Sequence, residues 1–470
     1  MVDLDLCYTP ATALAELIRR RELSPVELID NALQRVAQVD PKLNAFCALY
    51  PEEARDKAKA AEAAVMRGDD LGPMHGLPIA VKDMTLTKGK VTTRGSRIHE
   101  HWVPDEDAVV VSRQIDAGAI LLGKTTTPEY AFSWFTDSPL FGVTRNPWDL
   151  TKTPSGSSGG SGAAVAAGCV PIAEGSDSGG SVRGPAAWCG IVGHKPSFGR
   201  IPFEIMPSLF DQSWHFGPIA RTVDDAALFL DVTNGPHEAD IQTLPEPLDL
   251  AIPIDGDVRG LSLGWSLDLG YQTIDDEVAA NFMIALDALR NAGARVEEVA
   301  ISGLPTRLDP RWCQGGIYYA VMLGDKLDEW GDRMDPGLVA LIRKALTKDG
   351  LTVKSTELMR SEHWAIFRPV FERYDAFLCP TMPIPAPDAS MDDSDFDYID
   401  EKGRYRGIEM TAHFNQIPQC PALSVPSGRT AAGLPTAIQI VGRRHDDLTA
   451  LRIGKALEPR IGWPAWRPPI

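Results

Sequence analysis

The chain has 470 residues, 44% apolar and 23% charged, enough to bury one large domain or two ordinary ones. Its net charge of −18 excludes a basic face for phosphate backbones, so no direct nucleic-acid binding is expected, although an RNA-binding partner protein stays compatible. The seven cysteines stand singly without a CxxC pair, which argues for reduced buried thiols and against a zinc site or a disulfide scaffold.

The N-terminal segment lacks a basic region followed by an apolar run, and no stretch is long enough to span a bilayer. A cytoplasmic location is expected. "ATALAELIRRRE" and "SPVELIDNALQRVAQVD" read as helices. The second opens with Ser24 as N-cap, Pro25 at the first helical position and Glu27 at the third, a capping-box pattern. "PEEARDKAKAAEAAVMRGDD" follows as a solvent-facing helix. "GLPIAVKDM" is a short continuous apolar run, the mark of a buried strand, and it ends at Lys82. "AVVVSRQIDAGAILLGKT" reads as helix, glycine turn and strand.

After a glycine-rich middle, "GLSLGWSLD" reads as a strand and "DDEVAANFMIALDALRNAGARVEEV" as helix, glycine stop and strand. "YDAFLCP" and "TAIQIVG" are further strands, and "DDLTALRIGKALE" is a closing helix. Alternating helix and strand signals predict an α/β architecture. The segment from Thr306 to Ser361 is helical but irregular and fits a cap over a site. The acidic run "DASMDDSDFDYIDEKG" is expected to be a solvated surface loop.

Two glycine-serine clusters stand out. "TPSGSSGGSGAAVAAG" starts at Thr153. A helix-compatible alanine run follows it, which speaks against a flexible linker, and it has no lysine for a phosphate loop. Gly156 to Gly160 match GxSxG, the nucleophile elbow of α/β-hydrolases, with Ser158 as nucleophile. That motif needs a strand before it, and "RNPWDLTKTP" is broken by prolines. The second cluster is "EGSDSGGSVRGPAAWCGIVGHKPSFGR". Its adjacent Gly179 and Gly180 let the backbone turn several N–H groups toward one point, a nest that can stabilise an oxyanion next to Ser181.

With "GLPIAVKD", "FGVTRNPWDLTKTPSGSSGGSGAAVAAG", "GSDSGGSVRGPAAWCGIVGHKPSFGR", "GPIARTVDDAALFL" and "PALSVPSG…GLPTAIQIVG" in this order, the chain resembles the amidase signature family over nearly its whole length. The resemblance implies one domain over 1–470, built as a large mixed β-sheet covered by helices on both faces. A helical part would run to about residue 70, a signature core over about 71–235, and a variable cap and substrate segment over about 300–415. It implies a Ser–cis-Ser–Lys triad with Ser181 as nucleophile, Ser157 as bridging serine and Lys82 as base, and a cis peptide between Gly156 and Ser157. The backbone around Ser178, Gly179, Gly180 and Ser181 would form the oxyanion hole. Gly156, Ser158, Asp177 and Arg183 would support the network.

The chemistry is coherent. A serine hydroxyl needs a base to take its proton. Lysine, with an ordinary pKa of about 10.4, serves only where an apolar setting disfavours the ammonium. A hydroxyl between them can accept on one side and donate on the other. No metal or cofactor is called for.

In "EYAFSWFTDSPLFG", the family commonly has small residues where this chain has Ser133, Trp134 and Phe135. The two rings predict an apolar pocket for aryl or alkyl groups, unless one or both turn into the core. Met206, Trp214, Tyr318 and Tyr319 are further wall candidates. The expected activity is therefore hydrolysis of small hydrophobic amides, with carbamates in reach, by a single chain or a homodimer. The alternatives are an ammonia-supplying glutaminase subunit of a tRNA-dependent amidotransferase and, more distantly, an α/β-hydrolase-type esterase using Ser158.

Overall fold

Helix boundaries follow local chemistry in the computed structural model, which describes residues 2–470. The helix Pro25–Leu43 begins at Ser24, whose Oγ accepts the N–H groups of Val26 and Glu27. The Ser24 hydroxyl donates at 2.5 Å to Glu62 of the helix Pro51–Arg67, so the acidic partner comes from the neighbouring helix and not from Glu27.

In chain order the strands are β1 (Phe46–Leu49), β2 (Pro78–Lys82), β3 (Ile120–Thr125), β4 (Ile172–Asp177), β5 (Val192–Lys195), β6 (His215–Ala220), β7 (Ser262–Trp265), β8 (Arg295–Glu298), β9 (Ala376–Pro380), β10 (Tyr398–Ile399), β11 (Tyr405–Arg406), β12 (Ala422–Arg429) and β13 (Pro435–Gly442). β10 and β11 form a small separate ladder. The other strands form one 11-stranded sheet in the order β1-β3-β2-β4-β6-β5-β12-β13-β9-β7-β8.

The sheet is mixed. β3, β2 and β4 run parallel, as do β9, β7 and β8, while the strands between pair antiparallel. Helices flank it, and its strands β2, β4, β5, β6 and β13 are buried throughout. Along β2 the two-residue alternation sends Ile79 and Val81 into one core and Ala80 into the other.

The second core includes the all-buried helix Gly159–Ala166. Its first turn lies tight against backbone. A Cβ on Gly160 would come within 2.5 Å of the Thr126 nitrogen and 2.7 Å of the Ala45 oxygen. Glycine is required there for close approach, which explains a glycine-rich start to a helix.

The helices Gln314–Leu323 and Pro336–Leu346 pack through Tyr319, Leu323, Leu338 and Ile342 against Tyr130. Both helices belong to the segment from Thr306 for which a cap is expected. Among the described residues no helix is long and apolar enough to cross a membrane.

Candidate active site

Lys82 ends β2 with its side chain fully buried. Its Nζ reaches three hydroxyls: Ser157 Oγ at 2.7 Å, Ser158 Oγ at 3.0 Å and Ser176 Oγ at 3.0 Å. Burial pushes its pKa down, and the carboxylates of Glu174 and Asp177 oppose the shift only in part. Ser157 and Ser158 lie just before the helix Gly159–Ala166, and the Gly156–Ser157 peptide is cis.

Ser181 lies after β4, in a turn held from beneath by Asp177. The Asp177 carboxylate accepts the N–H of Gly180 at 2.9 Å and that of Val182 at 3.2 Å. Burial alone would raise this carboxyl. The Arg183 guanidinium and a hydrogen bond from Asn415 instead hold it well below the usual carboxylate range. Arg183 also donates to the Thr411 carbonyl, Gln439 and Asn415, which ties the turn to β13 and the segment before β12.

This geometry corrects the expected set of oxyanion donors. The Gly180 N–H is committed to Asp177 and is unavailable. The N–H groups of Ser178, Gly179 and Ser181 have no partner among the described residues. Gly180 is also off the cavity wall, whereas Ser178, Gly179 and Ser181 line it.

The cavity has a volume of about 300 Å³. One wall is the serine-glycine turn. Phe132, Ser133 and Trp134 form another, and Trp312, Tyr318 and Tyr319 come from the cap, with Trp214 beside them. Two expected wall residues are elsewhere. Phe135 is buried in a core cluster with Trp188 and Met382 and stacks on Phe396, and Met206 sits in the main core. Phe132, three residues before Phe135, lines the cavity.

The wall is more polar than expected. Asp211, Arg307, Asp393 and Asp397 all line it. Asp393 and Asp397 come from the acidic run expected to be a solvated loop. Asp393 Oδ1 accepts the Trp134 N–H at 3.1 Å, which folds the loop over the cavity. Burial raises the Asp393 carboxyl to about 6, against lowering hydrogen bonds from Ser133 and Trp134. Arg307 pairs with Glu409 at 3.1 Å. Nothing local in the sequence marked these residues, because the cap and loop meet the turn only in the fold.

Ser158 does not fit a hydrolase elbow. It is fully buried, stands directly before a helix with no strand leading into it among the described residues, and does not line the cavity.

The family model described as Amidase matches residues 27–451. An acylamidase of Rhodococcus erythropolis is 34% identical over 100% of this chain and 98% of its own length. A glutamyl-tRNA(Gln) amidotransferase subunit from Geobacillus kaustophilus is 33% identical over 97% of this chain and 98% of its own length. The crystal structure of a bacterial aryl acylamidase of the amidase signature enzymes superposes with a TM-score of 0.90 at 30% identity, covering 98% of this chain and 99% of that one.

Proposed function

Since the chain belongs to the amidase signature family and is an amidohydrolase, we propose that it hydrolyses the C–N bond of hydrophobic aryl or alkyl amides, and of carbamates, through an acyl-enzyme on Ser181. The observation that carries this reading is a buried lysine whose amine meets only hydroxyl oxygens, beside a serine in a turn with free N–H groups.

Substrate enters the cavity with its carbonyl carbon over Ser181. Lys82, neutral in its buried setting, takes a proton from Ser157 as Ser157 takes one from Ser181. The Ser181 oxygen attacks, and the carbonyl oxygen gains negative charge. The N–H groups of Ser178, Gly179 and Ser181 stabilise that charge. The proton returns through Ser157 to the leaving nitrogen, the amine departs, and water attacks the acyl-enzyme by the same relay. In the free chain Ser181 meets this network through its carbonyl, which accepts the Ser158 N–H at 3.3 Å. The relay requires a Ser157–Ser181 hydroxyl contact in the substrate complex.

The rings of Phe132, Trp134, Trp214 and Tyr318 support an aryl or alkyl acyl or amine group. The relative from Rhodococcus erythropolis, named an acylamidase, points the same way. A glutaminase reading has one observation in its favour, the amidotransferase relatives of nearly equal identity.

The test is a fluorophosphonate probe combined with a hydrolysis screen of the purified chain. Labelling at Ser181, with turnover of acyl anilides or nitrophenyl carbamates well above turnover of glutamine, is expected. Labelling at Ser158 alone would overturn the mechanism. Preferential glutamine turnover would transfer the chain to the glutaminase class.

A further inference from the structure

One buried acid has no part in the proposed relay. Glu174 lies on β4 beside β2, in the register Ala80↔Ala173, and is fully buried. Its Oε2 accepts the Lys82 backbone N–H at 2.9 Å and the Thr85 hydroxyl at 3.0 Å. Among the described residues its other oxygen, Oε1, is buried without a partner. A buried carboxylate with one oxygen unsatisfied is costly unless a cation is near or a proton is bound. The amine of Lys82 starts from the very residue whose N–H Glu174 holds.

We propose that Glu174 is a positioning residue for Lys82: its carboxyl, clamped to the Lys82 backbone, governs how readily the Lys82 ammonium releases its proton. This rests on the reading of Lys82 as base. An ionised Glu174 favours the ammonium and keeps the site off. A proton on Glu174 removes that field and leaves Lys82 free to be neutral. The two groups therefore compete for one proton in a water-poor interior.

The surrounding charges leave this pair distinct. On β3, Lys124 stands 3.7 Å from Asp83 and donates to the Thr85 carbonyl, Thr87 and Thr92. At the end of β4, Asp177 is neutralised by Arg183. Burial raises the Glu174 carboxyl, with Lys82 the largest opposing influence and Lys124 a smaller one. Glu174 in turn is the foremost charge acting on Lys82, ahead of Asp177.

The experiment is the pH profile of kcat/KM for an acyl anilide in the unmodified chain and in Glu174→Gln. Glutamine keeps an acceptor for Lys82 N–H and Thr85 but cannot ionise. The acid limb should move down by about one pH unit. One unit below the original midpoint, activity relative to plateau should then rise about five-fold. A purely structural Glu174 would lower the plateau and leave the limb in place, and that result overturns the proposal. Glu174→Leu also removes the charge, though it leaves the Lys82 N–H and the Thr85 hydroxyl without their acceptor, and its acid limb should move in the same direction if the glutamine variant does not fold. Lys82→Ala separates the two failures. If it retains turnover, the reading of Lys82 as base fails. If it is inactive and the limb of Glu174→Gln stays in place, only the role of Glu174 fails.

Discussion

Arg183 grips Asp177 through two parallel hydrogen bonds, Nε to Oδ2 at 3.0 Å and Nη2 to Oδ1 at 2.8 Å, with both side chains fully buried. Asp177 also accepts the N–H groups of Gly180 and Val182 and the Asn415 amide, so the pair sets the backbone turn that carries Ser181. Arg183→Met would leave a buried carboxylate without its cation. A stability loss of about 3–5 kcal/mol is expected from urea denaturation. Arg183→Lys should recover only part of it, because an ammonium cannot reproduce the planar two-point contact. Full recovery by lysine would show that charge alone holds the turn.

Gly180 has φ +132, and a Cβ there would lie 2.0 Å from Thr411 Oγ1 and 2.6 Å from Trp134 Cη2. Thr411 is no loose neighbour, since its hydroxyl donates to the Gly179 carbonyl at 2.6 Å. Gly180→Ala must therefore displace the turn or the wall. Acyl anilide turnover should fall at least about 100-fold, the scale of losing one oxyanion donor. Fluorophosphonate labelling of Ser181 should slow with it. A variant labelled at the normal rate would mean that the turn tolerates a side chain.

Trp134 and Phe135 are neighbours with opposite surroundings. Trp134 lines the cavity and lies against Gly180 and Gly184, whereas Phe135 is buried among Trp188, Met382 and Phe396. Trp134→Ala should change KM for aryl over short aliphatic amides by about ten-fold or more, since a ring contact contributes on the order of 1–3 kcal/mol. Phe135→Ala should instead cost about 3–5 kcal/mol of stability and leave that ratio nearly unchanged. The decisive comparison is the KM ratio beside the denaturation midpoint of each variant.

That contrast marks what the sequence could disclose. Lys82 at the end of a five-residue apolar run, and Ser24 before a helix, are local signals, and the structure has both where the local pattern predicts them. β4 carries Glu174, Gly175, Ser176 and Asp177, too polar and glycine-rich to read as a strand, and becomes one because β2 and β6 pair with it on either side. The direction of a ring at position 132 or 135 depends on a 3₁₀ turn with Tyr130 at positive φ, which no periodicity records. Asp393 resembled any solvated acid until its loop closed onto the Trp134 N–H. The commitment of the Gly180 N–H to Asp177 is likewise tertiary, because Arg183, Asn415 and Gln439 must converge to fix that carboxylate.

A buried histidine pair behind Trp312 of the cavity wall should make the fold sensitive to acid. His363 Nδ1 faces the Met359 carbonyl at 2.8 Å and must carry a proton. Its Nε2 then accepts from His413 Nδ1 at 3.0 Å, and His413 Nε2 accepts the Tyr271 hydroxyl at 2.6 Å. Every donor in this chain of contacts has one acceptor only while both rings are neutral. Trp312, in the cavity wall, packs edge-on against both rings. Burial pushes the pKa of each ring down; for His363 the Met359 carbonyl and Glu362 oppose this in part and Arg311 and Arg360 add to it, and His413 is further lowered by His363 and Arg307. The unfolded chain takes up these protons near pH 6.5 and the folded chain only at lower pH, so the unfolded state binds more protons and stability must fall as pH drops below about 6.5. The loss should approach about 1.4 kcal/mol per histidine per pH unit until the folded rings titrate. Urea denaturation at pH 7.5, 6 and 5 measures it. His413→Phe should be less stable at pH 7.5 but lose less stability toward pH 5 than the unmodified chain. Equal slopes in the two proteins would exclude the histidine pair as the source.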